Sequence, residues 1–493
     1  MKISNFKFQI SPRSSLIFFI LVIAFFLRVY SLNDFMPFIG DFAWFYISAR
    51  DMLLTGEIPL VGITSSHTWV HQGPLWTYLL AIPLFISNFN PVSGAYFTAA
   101  LGTLTVFMIY KIGIQMFSKF VGIVASVLYA TSPLVIIHSR MPYHTSIVPL
   151  ASLLFIYFLY KWIKGDVRFL PFVFLSLGVL YNLELSTLVF WFLLILIFAY
   201  GFIKRKLWFT QSLKPNVILL SVFLLLSVML PMIIYDVRQH SGYFQITAFF
   251  RLIKIYLFSS LPVFSFEEIR GVFASLFSYN QRLVFLGNGI FALLLTMVSF
   301  FYLVSSVYNP HPNPLPKGEG KGEGDHVRIF AKRARMIRSL LLLWVVLPLL
   351  GIILSRTASE AYVPMLFPAI ILSIALFFNY IYKRHALIVF IAILLFVVAN
   401  SYLLISENYL MEKPHGYGTP FSKILKVSEK IVIESDGKEY NLIAGSKGMQ
   451  LENFEYLTWW LGHGPSKDDQ PLKVLLIPDK DSIHVEEKVY NKN

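Results

Sequence analysis

Long apolar runs recur along the whole chain, and most are near the roughly 20 residues that carry a helix across a hydrocarbon core of roughly 30 Å. They lie at 15–33, 92–116, 119–138, 145–163, 169–182, 185–203, 214–235, 284–306, 338–355, 362–381 and 386–405, making eleven expected crossings. Inside a bilayer each span must satisfy its own backbone, and the alternation of a strand barrel is absent, so the spans read as helices. The residue balance agrees, since 56% of the 493 residues are hydrophobic and only 14% charged, more apolar surface than a soluble core needs. Lys2, Lys7 and Arg13 precede the first run, as in a signal peptide, but no small-residue cleavage site follows, so it reads as a retained span. The run 74–87 is too brief for an easy crossing and is expected to be re-entrant or interfacial.

A formal net charge of +14 would suit nucleic acid if it formed one surface. Instead the basic residues cluster between spans, at Lys161–Arg168, Lys204–Lys206, Arg328–Arg338 and Lys383–Arg384, where they orient a membrane protein. A nucleic-acid role is therefore excluded. These clusters and the basic N-terminus define an expected cytoplasmic face, within which the loop 308–337 carries a Pro/Gly low-complexity stretch at 309–325. An odd number of spans then puts the tail outside. The expected organisation is a transmembrane domain over 1–405, with a first external loop at 34–73, and an extracytoplasmic α+β module over 406–493. In that module Asp436-Gly437 is expected to turn a hairpin within EKIVIESDGKEYNLIA. With no cysteine, thiolate metal sites and disulfides are excluded.

The outer face collects the polar residues of interest. FIGDFAWFYISARDMLLTG reads as a helix lying in the interface, with Asp41 at its start, either as a cap or as a catalytic base held at the membrane surface. SSHTWVHQGPLWTYLLA brings His67 and His71, four apart but beside Gly73-Pro74, so a loop is favoured over a metal pair on one helix face. HSRMPYHTS adds Arg140 and His144, IYDVRQHSGY adds Asp236, Arg238 and His240, and SRTASEAYVP adds Arg356, Glu360 and Tyr362. Each charge taken singly suits snorkelling or pairing at a span end.

Taken in order, an Asp in the first external loop followed by YISARDMLLTGEIP, then HQGPLWTYLLA, SPLVIIHSR, YDVRQ and EAYVPMLFPAI resembles the polytopic GT-C glycosyltransferases over residues 15–405. The protein O-mannosyltransferase and aminoarabinose transferase superfamily is the nearest resemblance. It implies an all-α, GT-C-like membrane fold that moves a sugar from a polyprenyl-phosphate donor in the lipid bilayer to a protein, lipid or glycan acceptor. By the same resemblance Asp41 matches the catalytic Asp of the first loop, Arg140 the Arg of the second, and Arg238 and Tyr362 recurrent positions in later turns. Two departures stand out. Gln72-Gly73-Pro74-Leu75 replaces a Lys-Pro-Pro-Leu element, leaving His71 as the nearest cation, and His144 stands where many members carry a second Asp. No cofactor is certain, and a divalent metal ion is left open.

The chemistry suits these residues. A lipid phosphate is a good leaving group, so the site needs positive charge, for which Arg140, Arg238 and Arg356 are candidates, and a carboxylate to take the acceptor's proton, for which Asp41 is the candidate. His71, His144, Asp236, Glu360 and Tyr362 are expected to bind substrate. One direct displacement would invert the anomeric centre. A lipid-linked sugar flippase or transporter, or a polysaccharide ligase, is the rival reading. Paired repeats and mid-membrane charges, the usual marks of a transporter, are not evident in the sequence.

Overall fold

The computed structural model describes residues 12–65, 69–239, 245, 248–255, 265–308, 323–406, 419–446, 448–478 and 483–489. Among them, eight helices are long and apolar enough to cross a membrane: Val92–Met116, His144–Ile163, Leu185–Ile203, Pro215–Arg238, Gly289–Tyr308, Ala331–Ser355, Glu360–Tyr382 and Ala386–Ser406. The other expected crossings form shorter apolar helices, Ser15–Val29, Lys119–Ala130 and Val167–Leu183, so length alone does not reach eleven.

The run 119–138 is continuous in hydropathy but makes two helices, Lys119–Ala130 and Pro133–His138. Pro133 has no N–H to donate and holds Ser132 in an extended conformation, which ends the first helix. Arg28 completes that end, its buried guanidinium donating to the carbonyls of Tyr129 and Ala130 at 3.4 and 3.2 Å. A second difference concerns the loop 308–337. Most of its low-complexity stretch lies outside the described residues, but the helix Glu323–Ser355 begins well before the expected span at 338. The turns just before the expected span, AKRARM at 331–336, hold Ala, Lys, Arg and Met, all good helix formers.

The bundle has two chemically distinct ends. At one end Arg333 donates to the Gln115 carbonyl and the Tyr160 hydroxyl, Arg384 lies over Tyr380, and Phe120 stacks on Tyr382. This is where the basic clusters gather. The His144–Ile163 and Glu360–Tyr382 helices run from there to the opposite end, which holds Asp41, Arg140, Glu184 and Glu360. The helix Leu75–Ile86 has both of its ends near this second rim. Gly73 N–H donates to the Asn182 carbonyl before it, and the Phe89 carbonyl accepts from Tyr456 after it.

The tail folds as a three-stranded sheet in the order β1 (Tyr440–Ala444), β2 (Leu472–Pro478), β3 (Ile483–Val489), with helices Phe421–Glu434 and Glu452–Trp460. β1 and β2 are parallel, pairing Tyr440 with Leu472, and the Glu452–Trp460 helix makes the crossover that such a pair requires. The expected hairpin is therefore corrected. Phe421, Ile424, Ser428 and Ile431 recur at intervals of three and four and are buried, which makes their segment a helix. Asp436 and Gly437, both with positive φ, turn the chain from that helix into β1. The module packs on the Gly40–Thr55 helix through Phe38 against Phe421 and Tyr456, and through Tyr46 against Tyr456 at 5.1 Å.

Helices Val92–Met116 and Lys119–Ala130 cross with Gly113 facing Gly122. A Cβ on Gly113 would stand 2.8 Å from the Gly122 Cα, and one on Gly122 would stand 2.7 Å from the Tyr110 carbonyl oxygen. Backbone against backbone leaves little room to adjust. Gly122→Leu is expected to lower stability by about 1–3 kcal/mol, seen as a reduced thermal midpoint in detergent. An unchanged midpoint would show that the helices do not approach this closely.

Candidate active site

Asp41 lies in the first turn of the Gly40–Thr55 helix, but it is not the cap. The N-cap is Ile39, whose extended backbone (φ −89°, ψ 169°) enters the helix without a side-chain cap bond. Among the described residues the Asp41 carboxylate instead accepts one hydrogen bond, from Gln450 Nε2 at 2.7 Å. Beside it the half-buried ring of Tyr143 sits 4.7 Å from Phe42 and 5.9 Å from Phe45. Burial holds the Tyr143 hydroxyl well above the ordinary tyrosine range, and the charges of Asp41 and Glu184 and the neighbouring Tyr362 push it the same way. Tyr143 thus joins elements from four parts of the sequence: the first external loop, the turns at 143 and 184, and the segment before the Phe367–Tyr382 helix.

Glu184 is one of the residues that sequence reasoning missed. It occupies the turn between the Leu170–Leu183 helix and the next span, is only 3% exposed, and accepts from the Ser186 N–H at 3.1 Å. Its Oε2 is 3.8 Å from His144 Nδ1, which itself hydrogen-bonds the Leu183 carbonyl. Burial pushes the Glu184 carboxyl up to about 7, against hydrogen bonds from Ser186 and Gln72 that favour its charged form. A lone acid between two apolar runs, in YNLELST, was the available signal.

The first external loop is clamped onto this turn. Gly73 lies so close to Asn182 that a Cβ there would fall 2.0 Å from Asn182 Oδ1, which explains a glycine at the loop's end. His71 is part of the clamp. Thr64 and His71 bridge in a strand-like pair, His71 Nδ1 lies 3.2 Å from the Gly62 carbonyl, and its N–H donates to Gln245 Oε1. Asp236, buried, accepts from the Gln245 N–H at 2.6 Å, so His71 and Asp236 both secure the loop. His67 and His240 lie outside the described residues. Among the described residues no three of His, Asp and Glu form a set that could hold a metal ion.

The predicted cations fare differently from one another. Arg140 is 1% exposed and donates to the carbonyls of Arg28 and Tyr30 at 3.1 and 2.7 Å, closing the end of the first helix, while its Nη2 meets no acceptor among the described residues. Arg238 is exposed at the last turn of the Pro215–Arg238 helix. Arg356, with φ 55°, is half-buried and 3.6 Å from Glu268. Glu360 pairs with His138 at 3.0 Å and with Arg282 at 2.5 Å, both buried. Neither His138 nor Arg282 was singled out in the sequence, because their burial depends on which helices meet.

The displaced Glu184 carboxyl has a consequence for stability. It is raised above its ordinary 4.5, so the fold holds the proton more tightly than the unfolded chain and loses stability as pH rises from about 4.5 to about 7. Glu184→Gln is expected to remove that fall, on the order of 3 kcal/mol at neutral pH. Melting curves of both proteins between about pH 4 and about pH 8, which bracket that window, test this. Parallel pH dependence would contradict it.

Comparison with known proteins adds the following. Residues 71–235, about a third of the chain, match the family described as dolichyl-phosphate-mannose-protein mannosyltransferase. No curated protein matches the chain as a whole or in part. Among solved structures, an archaeal oligosaccharyltransferase AglB from Archaeoglobus fulgidus, in complex with an inhibitory peptide and a dolichol-phosphate, superposes with a TM-score of 0.52 at 11% identity over 90% of this chain and 63% of its own. The Archaeoglobus fulgidus oligosaccharyltransferase in complex with Zn and sulfate gives 0.54 at 12% identity, over 90% and 61%. ArnT from Cupriavidus metallidurans bound to undecaprenyl phosphate gives 0.43 at 11% identity, over 94% and 92%. The chain spans less than two thirds of the archaeal enzymes' length. With its apolar helices, its small strand-bearing tail and the two archaeal superpositions, the chain has a GT-C fold.

Proposed function

We propose that the protein is an integral membrane glycosyltransferase. It moves a single hexose or pentose from a polyprenyl-phosphate donor to a protein, lipid or glycan acceptor at the extracytoplasmic face, with inversion. Residues 1–405 form the catalytic membrane domain and 406–493 an outer module. The end bearing Asp41 faces outward and the end bearing Arg333 faces the cytoplasm, as the distribution of Lys and Arg favours.

The observation that carries this reading is the carboxylate of Asp41. It sits at the rim of a membrane bundle, is not used to cap its helix, and acts on Tyr143 together with Glu184. A lipid donor dissolved in the bilayer presents its sugar at headgroup depth, where such a base can reach an acceptor. Asp41 takes the acceptor's proton as its hydroxyl oxygen attacks the anomeric carbon, and the bond to the phosphate oxygen breaks on the opposite side of the ring. The leaving phosphate needs no proton, only positive charge. Arg238 and Arg356, exposed and half-buried, provide it, and Arg140 orients the site by holding the first helix end while offering Nη2. Tyr362 and His144 shape the wall around Tyr143, and Glu360 fixes Arg282 and His138 at the same rim. The matching family and the archaeal structure in complex with a dolichol-phosphate support a lipid-linked donor.

Purified protein incubated with radiolabelled polyprenyl-phosphate mannose and a membrane extract should yield labelled product. Asp41→Asn should reduce the rate by about 10²- to 10⁴-fold, the usual contribution of a positioned base. Separating the product into protein, lipid and glycan fractions identifies the acceptor class. Equal transfer by both proteins would remove Asp41 from the chemistry.

A further inference from the structure

Gln450 stands apart from the other polar residues at this rim. It belongs to the loop between β1 and the Glu452–Trp460 helix, 409 residues from Asp41, yet its Nε2 donates the one hydrogen bond that the Asp41 carboxylate makes with a described residue. Its side chain lies flat across the start of the Asp41 helix. A Cβ on Gly40 would stand 2.4 Å from Gln450 Cβ and 2.7 Å from its Cδ and Oε1, so the glycine leaves the space that the carboxamide fills.

We propose that Gln450 is a built-in placeholder for the acceptor: its carboxamide N–H occupies the oxygen of Asp41 that an incoming acceptor must reach, and an acceptor binds by displacing it. The inference rests on the reading of Asp41 as the base. Two observations favour displacement over permanent orientation of the carboxylate. First, a residue that fixes others is held at both ends of its amide. Gln245 is such a residue, with Oε1 accepting from His71 N–H and Nε2 donating to the Trp69 carbonyl. Among the described residues Gln450 is held only at Nε2, and its side chain is exposed. Second, the residues that follow it are anchored independently. Tyr456 donates to the Phe89 carbonyl at 2.8 Å, and Arg50 lies 4.9 Å over Trp459 and 3.8 Å from Glu455. The module therefore stays docked while one flexible side chain swings away.

A placeholder lowers the apparent affinity of the acceptor by the fraction of molecules in which the site is open. In the transfer assay with radiolabelled polyprenyl-phosphate mannose, Gln450→Ala is expected to lower the half-saturating amount of membrane extract by about three- to tenfold, with turnover at saturation retained. Gln450→Met, which keeps the bulk over Gly40 but has no N–H, should fall between the two. Carbodiimide labelling of the full-length protein with glycine ethyl ester gives a second reading that needs no substrate. The rate at Asp41 should rise by a similar factor in Gln450→Ala, with exposed Glu267 as the reference. A half-saturating amount that rises or stays the same, or a loss of turnover at saturation, would overturn the proposal. Undiminished transfer by Asp41→Asn would overturn the base itself, while the labelling would still report whether Gln450 covers that carboxylate.

Discussion

A charged side chain in hydrocarbon is costly unless it is paired, bound to backbone carbonyls, or carried to the interface. That constraint sorts this chain. The basic clusters gather at one end of the bundle, and Asp41, Glu184, Asp236 and Glu360, with a few arginines that have found acceptors, gather at the other. Arg28 and Arg140 show how deep cations are tolerated. Each donates to carbonyls at a helix end, where the backbone already carries partial negative charge. Arg282 is tolerated in another way, through Glu360. What remains at the second rim is a carboxylate, Asp41, whose only protein partner among the described residues is a neutral amide.

The surroundings of Asp41 are assembled from distant segments that hold one another in place. Asp236 secures Gln245, which secures the loop at Trp69 and His71. The end of that loop rests on Asn182, beside the buried Glu184, and the Glu184 charge is felt at Tyr143 together with that of Asp41. The tail module closes the arrangement from outside through Phe421, Tyr456 and Trp459. Removing one member of such a chain would loosen the next. Substitutions at Asp236 or Gln245 therefore act on the shape of the site rather than on its chemistry.

Much of this was legible in the sequence, and the physical reasons are specific. The apolar runs and the basic clusters follow from local composition, so the helical membrane fold and its two unlike ends could be read directly. Asp41 stood out because a short helix with an acid at its start follows the first span. Other features depended on tertiary contacts that leave no local trace. Glu184 looks like any turn acid until Gln72 and Leu183 bury it, and His138 and Arg282 look like span-end residues until Glu360 bridges them. The hairpin expected at Asp436-Gly437 failed because the same two residues that turn a hairpin also end a helix, and the apolar spacing of Phe421, Ile424 and Ile431 decides for the helix. Gln450 could not be found at all, since its partner lies at the other end of the chain.

The central claim is that a lipid-linked phosphate enters the rim where Asp41 and Tyr143 meet. A polyprenyl phosphate carrying a photoreactive group beside the phosphate, crosslinked to the protein in membranes and mapped by peptide mass spectrometry, tests it most directly. Labelling is predicted within residues 38–46 and 139–147. Labelling confined to the opposite end, around Tyr160, Arg333 and Tyr380, would contradict it.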